Sequence, residues 1–262
     1  MDIISNLIQF KRPSQYIYLG TEVLSVFNIN GRKTENIGAI KYNSIEDLKN
    51  NDNLNIKKIL KNTDSGVILN SGDFVFNLLN FVKIPLRKKL KDEIVEWRVQ
   101  KVFPENMENY FHEYFQLSSN LIFSILIRKK LKDEIEALFE YFGIELIYFG
   151  NSTVEIINNL RRTKKNPDFF IEYEGDLMIV VFMDKGIPYY FRKFRVNNSH
   201  EASEEIQKTV EYVKKNYNKI PGTYSVLSVN FNDETLIEEL NRNDFIRIGS
   251  GNSEYLIIPG QR

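Results

Sequence analysis

Three apolar, β-prone segments, PDFFIEYEG, DLMIVVFMDKG and IPYYFRKFRV, stand in immediate succession in the C-terminal half of the chain. They read as three consecutive antiparallel strands. A sheet of that kind must cover one face, and the next segment, EASEEIQKTVEYVKKNY, supplies a helix with Ile206, Val210 and Val213 on its inner side. TYSVLSVNF, DETLIEELNRN, FIRIGS and EYLIIP continue as strand, helix, strand, strand.

The N-terminal half follows a related plan. Residues 16–27 and 37–42 read as a hairpin of two apolar runs around Asn30 and Gly31. SIEDLKNN is a short helix with a Ser N-cap, and GVILNSG and DFVFNLLNFVKIP are two further strands. ELIYFGNSTVEIINNLRRTKK gives a strand, a Ser152 or Thr153 N-cap, and a helix whose basic end suits its dipole. The organisation of the predicted elements changes between residues 163 and 168, so two lobes are expected, at 1–165 and 166–262, each opening in a β-meander and continuing into helix and strand.

The octapeptide RKKLKDEI occurs at residues 87–94 and again at 128–135. Around the first copy, Leu86, Leu90, Ile94 and Trp97 share one helix face; around the second, Leu131, Ile135, Leu138, Phe139 and Phe142 do, with Gly143 as the stop. The flanking sequences differ, so the repeat shares an amphipathic template and does not form a solenoid. Its charges are expected on solvated faces with i, i+4 pairs such as Lys88 with Asp92 and Lys89 with Glu93. Basic residues in a first turn oppose the helix dipole, and docking is the alternative use for them.

Thirty-five Lys and Arg against thirty-five Asp and Glu leave no overall field toward nucleic acid or an anionic membrane. The absence of cysteine removes disulfides and thiolate metal sites and fits a reducing compartment. No window approaches the roughly 18 uninterrupted apolar residues of a membrane span. Any membrane link is therefore expected through a partner or through sequence beyond Arg262. His112 and His200 are far apart and read as surface residues, and no Walker or dinucleotide glycine motif is present. Glu172, Glu174 and Asp176 alternate along one strand face, as either a metal site or a solvated face. The nuclease pattern that begins with Pro167 and Asp168 has Glu174 where it needs Lys.

YLGTEVLSVFNING, residues 18–31, resembles the first phosphate loop of the actin-like, ribonuclease-H-like ATPase fold. Glu172, Gly186 and Arg192 match the spacing of the acid, turn glycine and arginine in its second loop. GIPYYFRKF, KIPLRKKLKDEI and EALFEYFGIEL are similar to stretches of one branch, the PilM proteins of type IV pili and the GspL cytoplasmic domains of type II secretion. The resemblance implies an α/β protein of two actin-like lobes, with Tyr18, Gly20, Thr21, Glu172 and Glu174 at the nucleotide cleft.

That cleft departs from the pattern of the fold. Tyr18 stands for the first acid, Glu174 for a glycine, and Ser228 to Asn232 for a glycine-rich adenosine loop. A carboxylate about 4 Å from a phosphate oxygen costs about 4 kcal/mol at an effective dielectric near 20, about a thousandfold in affinity. The resemblance thus implies a degenerate site with no catalytic residue, metal or cofactor. It also implies a cytoplasmic platform peripheral to the inner membrane. The implied partners are a PilN-like membrane protein or the chain's own transmembrane segment, and the N-terminal domain of the assembly ATPase, with no nucleic acid and with self-association left open. A partner peptide is expected in a groove of the first lobe or on a sheet edge. The rival expectation is a divergent ATPase with acids at other positions, such as Asp73 or Asp168.

Overall fold

A computed structural model describes residues 13–30, 33–50, 59–60, 64–164, 166–227 and 234–247. The first lobe begins with β1 (Gln15–Leu19), β2 (Val23–Asn30), β3 (Lys33–Lys41), α1 (Ile45–Asn50) and β4 (Ser65–Leu69). It continues with β5 (Phe74–Asn80), α2 (Lys88–Val102), β6 (Tyr110–Gln116), β7 (Leu121–Arg128), α3 (Lys129–Tyr141), β8 (Leu146–Asn151) and α4 (Ser152–Thr163). The second lobe holds β9 (Phe169–Glu174), β10 (Leu177–Asp184), β11 (Ile187–Arg195), α5 (Ser199–Tyr217), β12 (Thr223–Leu227), α6 (Glu234–Arg242) and β13 (Ile246–Arg247).

The two large sheets have the same plan. One runs β3-β2-β1-β4-β8 and the other β11-β10-β9-β12-β13. In each, three antiparallel strands are extended by two parallel ones. The chain between β4 and β8 adds a small antiparallel sheet, β5-β7-β6. The loop at 228–232 and the strand expected at EYLIIP lie outside the described residues.

α4 is buried on every residue from Ser152 to Leu160. Its Val154, Ile156, Ile157 and Leu160 join a core that takes Val67 and Ile68 from the first sheet and Phe170, Ile179 and Val181 from the second. Each such side chain contributes about 2 kcal/mol by leaving water. Because strand side chains alternate, Phe169, Ile171 and Val180 face the other way and pack with Ile206 and Val213 of α5. The aromatic Phe191 of β11 stacks on Phe123 at 4.9 Å and on Phe76 at 5.6 Å, which ties the second sheet to the small sheet of the first lobe.

Several local expectations change. The run 16–27 is two strands, because a turn closes at Gly20, whose N–H donates to the Val23 carbonyl at 2.9 Å. α4 is capped by Asn151, whose Oδ1 accepts from Val154 N at 3.2 Å. Ser152 and Thr153 turn their hydroxyls to Glu172 instead. His112 is half-buried and lies 2.9 Å from Ser124 Oγ, and burial lowers its pKa. Exposed His200 lies 3.3 Å from Glu204.

The two octapeptides have the same backbone but different surroundings. Arg87 and Arg128 both precede a helix in extended conformation. In α3 the expected stripe is inward, with Ile135, Leu138 and Phe139 buried, and Lys130 lies 3.7 Å from Glu134. In α2 the buried residues are Val95 and Val99, while Leu86, Leu90 and Trp97 are exposed and Asp92 accepts from the Tyr114 hydroxyl. Of the expected inner stripe of α2 only Ile94 packs on the core, and the other three residues face outward.

Candidate functional site

The strands β1 and β9 occupy equivalent places in the two sheets, and their C-terminal ends meet where the two lobes pack together. Tyr18 is fully buried there. Its hydroxyl donates to Glu174 Oε2 at 2.5 Å. The backbone N–H of Thr21, in the turn after β1, donates to Glu174 Oε1 at 2.6 Å. Asn70, just past β4, donates its side-chain N–H to the same carboxylate, and its Oδ1 accepts from Gly72 N at 2.6 Å. Glu174 is thus held by three neutral donors from the other lobe.

Gly20 makes this approach feasible. A Cβ at that position would stand 2.2 Å from Glu174 Oε1 and 3.0 Å from Tyr18, closer than a side chain tolerates. The Tyr42 hydroxyl donates to the Gly20 carbonyl and holds the turn from behind. Burial, and then the charges of Glu174 and Glu172, push the Tyr18 phenol well above its usual pKa, so it serves as a donor.

Glu172, two residues earlier on β9, sits in a neighbouring nest of hydroxyls. Ser152 donates to Oε1, and Thr153 Oγ1 lies 2.5 Å from Oε2. Ser71 Oγ accepts from Thr153 N at 3.0 Å and lies 2.8 Å from Ser152 Oγ. Burial raises the Glu172 pKa to about 7, with the hydroxyls of Ser152 and Thr153 lowering it and Glu174 raising it. Lys193 of β11 completes the interlobe contact by donating to the carbonyls of Gly72 at 2.7 Å and Phe74 at 3.0 Å.

Tyr18, Gly20, Thr21, Glu172 and Glu174 therefore come together where the lobes meet, in two adjoining networks, one around Glu174 and one around Glu172. Asn70, Ser71, Ser152 and Thr153 belong there too, and sequence reasoning had assigned none of them a place in it. The Asn-Ser and Ser-Thr pairs directly after the apolar strands were the signal available. Arg192 is elsewhere: its guanidinium pairs with Glu205 at 2.5 Å and with Thr209 at 2.5 Å, on the α5 face of the sheet. Gly186 has φ 77, as its turn requires. Asp168 accepts from the N–H groups of Gly222 and Thr223 at 3.0 and 2.9 Å, a backbone-capping role. Asp73 is exposed in a single helical turn, and Asp176 pairs with Arg195. Among the described residues no group of three or more His, Asp or Glu is arranged to hold a metal ion.

The residues present do not fit a triphosphate. The turn amide that would meet a phosphate oxygen already donates to a carboxylate, and a phosphate placed there would face that carboxylate's charge.

A second feature is a groove of about 450 Å³ between the small sheet and β8. Both β6 and β8 are edge strands. Phe111, Phe115, Leu146 and Phe149 supply apolar walls, and Glu113 and Glu136 supply charge. Lys132 binds Glu136 at 2.5 Å and lies over the rings of Phe111 and Phe149 at 5.5 and 5.7 Å. Burial raises the pKa of Glu113, and Lys132 lowers it.

No family model matches the chain, and no curated protein matches it by sequence. Solved structures do. The PilM–PilN type IV pilus biogenesis complex matches with a TM-score of 0.70 and 11% identity, over 94% of this chain and 89% of that one. The cytoplasmic domain of EpsL, an inner-membrane component of the type II secretion system of Vibrio cholerae, matches with a TM-score of 0.63 and 10% identity, over 94% and 93%. A Bacteroides thetaiotaomicron protein with an actin-like ATPase fold and unknown function matches with a TM-score of 0.61 and 14% identity, over 93% of each chain. The chain has the actin-like ATPase fold.

Proposed function

We propose that this protein is a non-catalytic platform component of a type IV pilus or type II secretion assembly. It acts on the cytoplasmic face of the inner membrane and engages its partners through protein contacts. The observation that carries this reading is the carboxylate of Glu174 on the N–H of Thr21, which leaves the phosphate-facing turn filled by the chain itself. A fold that has surrendered its nucleotide contacts and kept its two sheets retains surfaces as its useful property.

The fold it shares with the PilM–PilN complex and the EpsL cytoplasmic domain supports the assignment to these machines. The first-lobe groove supports the mode of binding. An extended segment from a PilN-like membrane protein, or from the chain's own continuation, would add to the edge of β6 or β8 and place apolar side chains among Phe111, Phe115 and Phe149. The assembly ATPase is the second partner in this reading.

Two measurements test it. Calorimetric titration with ATP and Mg²⁺ is expected to give no heat at micromolar concentrations, and micromolar binding would favour the divergent ATPase instead. A photo-crosslinking residue at Phe111, introduced in the native host, is expected to capture the short cytoplasmic tail of an inner-membrane protein. Capture of a soluble metabolic enzyme in its place would overturn the platform role.

A further inference from the structure

The outward face of α2 and the segment leading into it carry apolar side chains that nothing among the described residues covers. Val82 and Leu86 stand essentially free in solvent, Leu90 is 48% exposed and Trp97 is 54% exposed. Leu90 and Trp97 fall on one side of the helix, opposite the buried Val95 and Val99, and stand about 10 Å apart along it at 1.5 Å per residue, with Leu86 just ahead of the first turn. The other copy of the octapeptide is an internal comparison: in α3 its Leu131 is half-buried against the core, whereas in α2 the equivalent Leu90 faces water.

Cations accompany this stripe. Residues 82–102 carry Lys83, Arg87, Lys88, Lys89, Lys91, Arg98 and Lys101 against Asp92, Glu93 and Glu96, in a chain that is neutral overall. Lys83, Arg87, Lys88 and Lys89 gather at the end where Val82 and Leu86 protrude, and Lys101 lies 5.6 Å over the Trp97 ring. Asp92 is turned to Tyr114.

We propose that this face docks on an anionic lipid surface. Leu86, Val82 and Trp97 enter the boundary between headgroups and acyl chains, and the four cations at the helix start meet the lipid phosphates. An indole beside leucines, with lysines at the rim, is the composition of a helix that lies in the interface plane. A protein hot spot is a contiguous, desolvated pocket, whereas Val82 and Leu86 are isolated projections with Lys83 and Arg87 as chain neighbours. The inference is independent of the proposed function.

Trp97 is the single tryptophan of the chain, so its emission reports on this face alone. The full chain is mixed with vesicles of phosphatidylglycerol and phosphatidylethanolamine, and separately with vesicles of phosphatidylcholine. A blue shift of Trp97 is expected on the anionic vesicles only, diminished at about 0.5 M salt, where screening is nearly complete. K88E/K89E is expected to weaken partition about tenfold or more. K129E/K130E makes the same charge change at the second copy of the octapeptide and is expected to bind as the parent does. No shift on anionic vesicles, or equal loss in both variants, would overturn the proposal. A concentration-dependent shift without lipid would overturn it in favour of a contact between two copies of the chain, and a shift on an acidic protein with none on vesicles would overturn it in favour of a protein partner.

Discussion

The carboxylate of Glu174 and the backbone N–H of Thr21 meet at 2.6 Å across 153 residues of chain and between the two lobes. The same carboxylate collects the hydroxyl of Tyr18 and the side-chain amide of Asn70. One side chain therefore holds together the ends of the first and fourth strands of one sheet and the first strand of the other.

Removing that acceptor strands two buried donors, Tyr18 and Asn70, together with the part-buried N–H of Thr21. Glu174→Ala is expected to lower stability by about 3 kcal/mol or more, read as a shift in the urea midpoint. Glu174→Gln, with one acceptor oxygen left, is expected to fall between. Acetate at tens of millimolar should recover part of the loss in the alanine variant, because it can occupy the vacated site. Sulfate or chloride at the same ionic strength should recover less.

Gly20 and Glu174 are expected to be coupled. Gly20→Ala places a methyl 2.2 Å from Glu174 Oε1 and should cost about 1 to 3 kcal/mol as an overpacked site. In a Glu174→Ala background the nearest obstruction is gone, so the same substitution should cost less. A double-mutant cycle by chemical denaturation measures the difference, and strict additivity would mean that the two positions do not touch in solution.

Glu172 makes stability depend on pH near neutrality. Its pKa is raised from 4.5 to about 7 by burial, so the folded state binds a proton that the unfolded state has already lost. Stability is then full below about pH 4.5 and declines as pH rises through 7, by about 3 kcal/mol in all. Glu172→Gln, which stays neutral, is expected to flatten the profile between pH 5 and 8 in thermal or urea unfolding.

The two sides of α2 should respond oppositely to truncation. Val95→Ala or Val99→Ala removes buried methyls and is expected to cost about 2 kcal/mol each. Leu90→Ala or Trp97→Ala, on the exposed side, should change the stability of the protein in solution by less than about 0.5 kcal/mol. The reverse ranking would mean that the helix is rotated about its axis.

Much of the architecture was legible in the chain itself. The three apolar segments from Phe169 onward could bury a face only by pairing with one another, and they form β9, β10 and β11. Gly143 ends α3, and Ile206 and Val213 face inward from α5. These features rest on neighbours in sequence, where periodicity and turn chemistry act. What periodicity could not decide was which of two apolar stripes on α2 faces the core. Leu86, Leu90 and Trp97 keep helical spacing as well as Val95 and Val99 do, and only the position of the small sheet selects between them. Nor could local pattern tell that Asn151 would cap α4. Ser152 and Thr153 are drawn away by Glu172, which arrives from the other lobe. The identities at Tyr18 and Glu174 announced a changed cleft, but their meeting came from tertiary structure. A hydrogen bond needs its partners within about 3 Å, and between the lobes only the packing of one on the other sets such a distance.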